Sequence, residues 1–243
     1  GQYVDLSNYL GGMEIQRLKT IEAICNPNCG YRYTAYTSDF RKIPGSPISF
    51  AASLPIYEIY SKSSSISNFG EAREGMATAN NNLFLRLWFE VSNQKIGFNY
   101  ANRLSAKESG KKWFPYNKGG DFRKWYGNDE YVVNWENDGY EITNYSDEKT
   151  GRIRSHNYNL DYIFKEGITW TALSSGNFGS RYSNLGKLAD SKGSMLYLVN
   201  PGNTKYVLGF LNSIVSTHLL GLIAQTLDFK PGRISELPLI IDQ

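Results

Sequence analysis

The chain has 243 residues, 41% hydrophobic and 20% charged, and its 26 Lys and Arg against 23 Asp and Glu leave a formal net charge of +3. That length is enough to bury a proper core, and the near balance of charge excludes a histone-like polycation, so total charge is no argument for nucleic-acid binding. The outlier is the ring content, with 18 Tyr, 12 Phe and 5 Trp, which suits half-wet recognition surfaces and β-rich cores alike.

Gly1 opens the chain without a Met, which reads as a piece of something longer. Residues 1–66 are expected to form a leader that joins to a domain outside this chain. In it, Met13 to Cys25 has helical spacing, with Ile15, Leu18, Ile21 and Cys25 on one face, and Asn26-Pro27-Asn28 stops it. Cys25 and Cys29 have no second pair and no His nearby, which argues against zinc and fits a reduced, cytoplasmic setting. Tyr31 to Ala35 alternates as a strand, and Ser49 to Ser61 reads as a helix with Pro55 near a break. The polar run Ser61 to Ser67 is the best linker.

Residues 67–243 are expected to form one domain. Leu83 to Val91 alternates strictly and reads as a strand that projects Arg86 and Trp88 from one face. Lys111 to Glu141 follows, and it organises the rest. Its first half interleaves Lys111, Lys112, Lys118, Arg123 and Lys124 with Trp113, Phe114, Tyr116, Phe122, Trp125 and Tyr126 around Gly119-Gly120. Cations hold phosphates, rings stack on bases, and glycines allow close backbone approach. The bland alternative is a wet, aromatic-rich loop. The second half is acidic, without Lys or Arg from Asn128 to Glu148. Tyr131 to Trp135 and Tyr140 to Ile142 read as a hairpin about Asn137-Asp138-Gly139, turn chemistry that tolerates positive φ. Ile168 to Leu173 and Ser194 to Val199 read as strands, and Ser174 to Gly179 as a loop delivering Arg181 and Tyr182. Tyr206 to Leu227 is predicted as one long core helix, too interrupted by Asn212, Ser213, Ser216, Thr217 and His218 to span a membrane. Lys230-Pro231-Gly232 ends it, and Ile234 to Ile241 runs out extended. The expected fold is α+β: a twisted, mostly antiparallel sheet with packed helices and a long C-terminal helix.

Motifs for chemistry are missing. Methyl transfer from S-adenosylmethionine needs a Gly-rich strand-to-helix turn, and adenine amino methylation needs an Asn/Asp-Pro-Pro-aromatic loop. Asn26-Pro27-Asn28-Cys29 and Asn200-Pro201-Gly202-Asn203 both lack the second Pro and the aromatic. There is no phosphate-binding P-loop, no Gly-x-Ser-x-Gly elbow for His156 or His218 to serve, and no Glu-x-Lys of a metal-dependent nuclease. Catalytic residues and metal ligands are therefore expected to be absent from this chain.

The string KKWFPYNKGGDFRKWYGNDEYVVNWENDGYEI, with EAREGMATANNNLFLRLWFEV before it and FKEGITWTALSSGNFGSRY after it, resembles the C-terminal half of BREX-type adenine-specific DNA methyltransferases of phage-defence systems, relatives of combined restriction-modification enzymes. AICNPNCGYRYTAYTSDFRKIPGSPISF resembles the stretch joining their catalytic and specificity domains, and the C-terminal LGFLNSIVSTHLLGLIAQTLDFKPGRISELPLI is similar to the end of target-recognition domains. This chain departs from the family's usual pattern at Ala79-Asn80-Asn81, Phe50-Ala51 and Phe89.

The resemblance implies a target-recognition domain that binds double-stranded DNA beside its own upstream methyltransferase domain, with no membrane. S-adenosylmethionine is implied for that other domain and no cofactor for this one. On that reading Lys111, Lys112, Lys118, Arg123 and Lys124 grip phosphates. Trp113, Tyr116 and Asn117 approach the groove, Gly119 and Gly120 give access, and Arg86, Arg123, Arg181, Asn117 and Asn177 read bases. Two other readings stay open: a protein-interaction module with an aromatic hot spot, and an enzyme of unrecognised type using Asp129, Glu130 or Glu136.

Overall fold

The computed structural model describes residues 1–157, 159–174, 176–224 and 228–241. The chain divides into two compact units, residues 1–64 with 240–243, and residues 65–239.

In the first unit, β1 (Gln2–Val4) pairs antiparallel with β2 (Arg32–Thr34). Its small core is aromatic: Tyr3 stacks on Phe50 at 5.1 Å and meets Phe40 edge-on at 5.8 Å. Helix α1 (Met13–Cys25) has the predicted limits, yet its apolar face does not line a core. Ala23 is its one buried residue, while Met13, Ile15, Leu18, Ile21 and Ile24 are all exposed. The inward side is Lys19 and Ala23, whose carbonyls accept from the Tyr31 hydroxyl (3.1 Å) and the Arg32 guanidinium (3.0 Å). Helix α2 (Leu54–Lys62) is not broken by Pro55 but carries it in its first turn, which has no use for the N–H that proline lacks.

The second unit contains eight strands that concern its site: β3 (Gly70–Arg73), β4 (Leu85–Leu87), β5 (Trp113–Asn117), β6 (Tyr131–Asn134), β7 (Gly167–Trp170), β8 (Ser180–Ser183), β9 (Leu188–Ala189) and β10 (Met195–Leu198). They form two four-stranded sheets rather than the single sheet expected, ordered β9-β5-β6-β4 and β3-β10-β7-β8. Only the β9–β5 pairing in them is parallel. The α+β class stands. Phe114, Tyr116, Val133, Trp135, Ile142, Phe164 and Leu188 share one core. Trp170 is fully buried in another region, its indole N–H donating to the Phe229 carbonyl at 2.7 Å.

Three predicted elements change form. Leu83–Val91 is not one strand: β4 lies between a helical turn at Asn81–Phe84 and a 3-10 turn at Trp88–Glu90. Side chains set those ends, since the Asn80 amide oxygen accepts from Leu83 N and the Glu90 carboxylate from Leu87 N. The hairpin is not one either. Asn137, Asp138 and Gly139 do take positive φ (52°, 60°, 73°), but the chain winds on into α4 (Glu136–Thr143). Arg103, at the start of α3 (Arg103–Glu108), grips Asp138 with two bonds of 2.9 and 2.6 Å and holds that winding in place.

The long helix is broken as well. Helices α5 (Thr204–Leu211) and α6 (Ile214–Ile223) diverge by 78° at Asn212–Ser213, and residues 225–227 of the predicted helix lie outside the described residues. The cause is a tertiary pairing. Asn212 accepts from Ser180 N and donates to Ser180 O, both at 2.9 Å, so its side chain completes the edge of β8. Ser213 then caps α6 through Ser216 N. Pro231 does not end a helix but starts α7 (Pro231–Ser235). Among the described residues no single helix is long and apolar enough to cross a membrane.

Candidate nucleic-acid interface

The basic and aromatic stretch separates into two parts. Lys111 and Lys112 lead into β5, which pairs with β6 on one edge and β9 on the other and is packed on both faces, and Trp113, Phe114, Tyr116 and Asn117 are all buried. The groove-facing roles expected of Trp113, Tyr116 and Asn117 are corrected accordingly. The Tyr116 hydroxyl donates to the Asp190 carboxylate (3.0 Å), with the Met76 carbonyl also within reach at 3.2 Å, and burial pushes its pKa well up. Asn117 donates to Ser183 Oγ at 2.7 Å. Trp113 carries the Arg86 guanidinium 5.6 Å from its ring centre. Arg86 is spent further on the carbonyls of Asn82 and Leu85.

Most of the expected phosphate contacts are also taken. Lys111 donates to the Gln94 carbonyl (2.5 Å), and Lys112 pairs with Glu136 (3.1 Å) and Glu141 (3.8 Å). Lys124 donates to the Asn212 carbonyl (2.8 Å) at the C-terminus of α5, where a cation meets the negative end of the helix. Lys118 pairs with the buried Asp190 at 3.3 Å. Lys112 and Lys118 sit at opposite ends of β5, roughly 20 Å apart along an extended chain, so the five cations form no single clamp.

The second part, residues 118–130, is a folded loop. Gly119 and Gly120 take φ of 90° and 116°, and a Cβ on Gly119 would stand 2.9 Å from the Lys192 carbonyl. The close approach that glycine permits here is to the protein's own backbone, not to a ligand. Buried Asn128 ties the loop across itself by donating to the Asp121 carbonyl (2.9 Å). Trp125 adopts φ 76°, which a bulky residue tolerates only when held. It is held: Trp125 N donates to Ser180 O (2.8 Å), and its carbonyl accepts from Tyr182 N (2.9 Å). The result presents Phe122, Arg123, Trp125 and Tyr126 to solvent, with the rings 52%, 54% and 62% exposed at 122, 125 and 126.

Lys118, Gly119, Gly120 and Arg123 are thus brought together. They line a cavity of about 440 Å³ with Asp121, Asn128 and Glu130. Its two cations face two carboxylates, which makes it mixed in charge rather than basic. Arg181, expected as an exposed reader, is 1% exposed on β8, and its Nε and Nη1 have no partner. Burial lowers its pKa while the charges of Asp129 and Glu130 pull it back up. It acts as a counter-charge beneath the loop. Asn177 is exposed.

A second cavity, of about 310 Å³, shares Tyr131 with the first and is walled by Trp88, Phe98 and Tyr126. Sequence reasoning also passed over Arg152 and Arg154. Both are exposed and line a cavity of about 390 Å³ with His156 and Asp147. Their alternation in Arg152-Ile153-Arg154 was the available signal, masked by the acidic block just before it.

Two short sheets carrying a ring-bearing loop make up the unit that holds the candidate site. By sequence, the chain is similar to one region of two adenine-specific methyltransferases. It is 49% identical over 220 residues to the adenine-specific methyltransferase PglX of Lacticaseibacillus casei (strain Zhang), and 36% identical over 207 residues to BrxX of Escherichia coli O9:H4 (strain HS). The alignments take in 90% and 84% of this chain but 18% and 16% of those proteins, so the chain spans less than a fifth of the curated relatives it matches. No family model matches the sequence.

Proposed function

We propose that this chain is the DNA-recognition part of a BREX-type adenine-specific methyltransferase, acting in the cytoplasm, with the methyl transfer and its S-adenosylmethionine handled by another part of the same protein. The supporting observation is the loop 118–130, in which tight internal bonding holds one guanidinium and three rings outward. Rigid rings and an arginine such as Arg123, which makes no ion pair among the described residues, suit contact with a double helix, whose phosphates fix register and whose base edges supply sequence. Arg123 and Asn177 remain as base readers, and Arg152 with Arg154, whose pair with Asp147 is loose at 4.0 Å, are the phosphate contacts in place of the paired Lys118.

The test is fluorescence anisotropy of the chain on duplex DNA across a salt series. With two to three phosphates neutralised, log K falls against log salt with a slope of about −2 to −3, shallower than the −4 to −5 that a five-cation clamp implies. A salt-independent signal, or no binding at low salt, overturns the reading.

A second reading, a protein-contact module, is favoured by α1, which keeps Ala23 inside and turns Met13, Ile15, Leu18, Ile21 and Ile24 to solvent. It predicts that Ile21→Ser in α1 abolishes a protein association while leaving duplex affinity unchanged.

A further inference from the structure

Two charged residues are buried among the described ones, and the fold treats them differently. Asp190 receives the Tyr116 hydroxyl, the Lys118 ammonium and the Lys192 N–H. Arg181, on β8, has Nε and Nη1 without any hydrogen-bond partner. A guanidinium carries five donors, and burying them unpaired is costly. An unbranched apolar side chain would suit this place better if the closed arrangement were the only one that mattered.

The loop 118–130 is what lies over β8 here. Trp125 N donates to Ser180 O and Trp125 O accepts from Tyr182 N, so the loop is clasped to the two residues that flank Arg181. A Cβ on Gly179 would stand 2.7 Å from the Arg123 carbonyl and 2.9 Å from the Phe122 ring, so the approach is close. The clasp has two unfavourable features of its own. Trp125 is held at φ 76°, and the Arg123 charge opposes that of Arg181. Nor do buried rings secure it, since Phe122, Trp125 and Tyr126 are all exposed. Asn128 closes the loop on Asp121, and Gly119 and Gly120, at φ 90° and 116°, precede that closure, so the loop can swing there as one piece. Lifting it breaks the two Trp125 bonds and the Lys124 contact to Asn212 O, while Ser180 O keeps the Asn212 amide as a donor.

We propose that the loop is a cover which holds Arg181 back in the free protein and lifts from β8 on contact with duplex DNA, so that the freed guanidinium grips a backbone phosphate. The idea rests on the DNA-recognition reading and adds Arg181 to its contacts. A phosphate offers the planar fork two acceptors at once and cancels its charge. The partners that Arg181 lacks in the closed protein are then supplied by the ligand, and Trp125 is released from its strained backbone.

The experiment uses the 243-residue chain and a mixed-sequence duplex. Arg181→Met should weaken binding about tenfold at 0.1 M salt and make the salt slope shallower by about 1, while the melting temperature holds or rises. The unmodified chain gives a measurement independent of that variant. Saturating duplex should move the Arg181 Nε–H signal in NMR and speed amide exchange at Trp125 and Tyr182, whereas Ser180 N–H, held by Asn212, stays protected. An Nε–H signal that duplex leaves in place overturns the cover, as does an unmoved salt slope in Arg181→Met. A lowered melting temperature in that variant also overturns it, because the guanidinium would then be a supporting part of the core. In each of those cases the unmodified chain still binds duplex and the DNA-recognition reading survives. Absence of duplex binding by the unmodified chain overturns that reading and the cover with it.

Discussion

Strand β5 and the loop that follows it have nearly the same composition, cations among rings, and opposite fates. In β5 both edges are hydrogen-bonded, to β6 and to β9, and both faces are covered, Phe114 and Tyr116 by one core and Trp113 by Ile96 and Val132. In the loop, Gly119 and Gly120 bend the chain away from any ladder, and Phe122, Trp125 and Tyr126 stay in water. Whether a basic, ring-rich string is core or contact surface is thus decided by whether distant segments cover its faces, which residue types do not encode. The same holds for charge: Lys118 and Lys124 meet a carboxylate and a helix end, whereas Arg123 points out.

The sharpest break of that contrast is a pair of Phe→Ala changes. Phe114→Ala in β5 should cost about 3–5 kcal/mol of stability, and Phe122→Ala in the loop less than about 0.5 kcal/mol, measured by chemical denaturation. Comparable losses would mean that the loop ring is core after all. Next comes Tyr116→Phe, expected to cost about 1–2 kcal/mol, because Asp190 loses one of its partners and keeps Lys118 and the Lys192 N–H. On the loop side Arg123→Ala should leave the melting temperature unchanged, cost about 1–3 kcal/mol of duplex affinity and relax specificity at one base position. Among lysines, Lys124→Met should cost about 0.5–1 kcal/mol by uncovering the end of α5. Lys112→Ala should cost less, its pairs being half-exposed, and should not move duplex affinity.

Locally determined features were legible in the sequence. Helix α1 has its predicted ends because Asn26-Pro27 cannot continue it, and Tyr131–Asn134 and Met195–Leu198 are strands within the predicted stretches. Asn137-Asp138-Gly139 takes the positive φ its residues tolerate. What failed was set at long range. Nothing near Asn212 announces that it will complete the edge of Ser180, thirty-two residues away, and so break a helix. Ser180–Ser183 has no apolar residue save Tyr182 to mark it as a strand, yet it is paired with β7 and largely buried. Of the candidate site, the location was legible, around Gly119-Gly120 and Arg123, but not the split of roles. That depended on partners such as Asp190 and Asn212, far along the chain.

The smallest expected effect separates the two parts by cause. Tyr116 and Tyr126 both have raised pKa values, Tyr116 chiefly through burial and Tyr126 chiefly through the Asp129 charge. An unfolded tyrosine ionises near pH 10, so a raised folded value means that each phenol supports the fold fully below about pH 10 and loses that support as pH climbs above it. The two should respond differently to salt. A charge effect at a surface phenol is screened over about 10 Å at 0.1 M salt, whereas desolvation is not. Added salt, or Asp129→Asn, should therefore bring the Tyr126 titration down toward the ordinary value and leave Tyr116 where it is, as read from NMR of ζ-labelled tyrosines. If both move together, the loop and the strand share one environment, and the distinction between a buried basic-aromatic strand and an exposed basic-aromatic loop is lost.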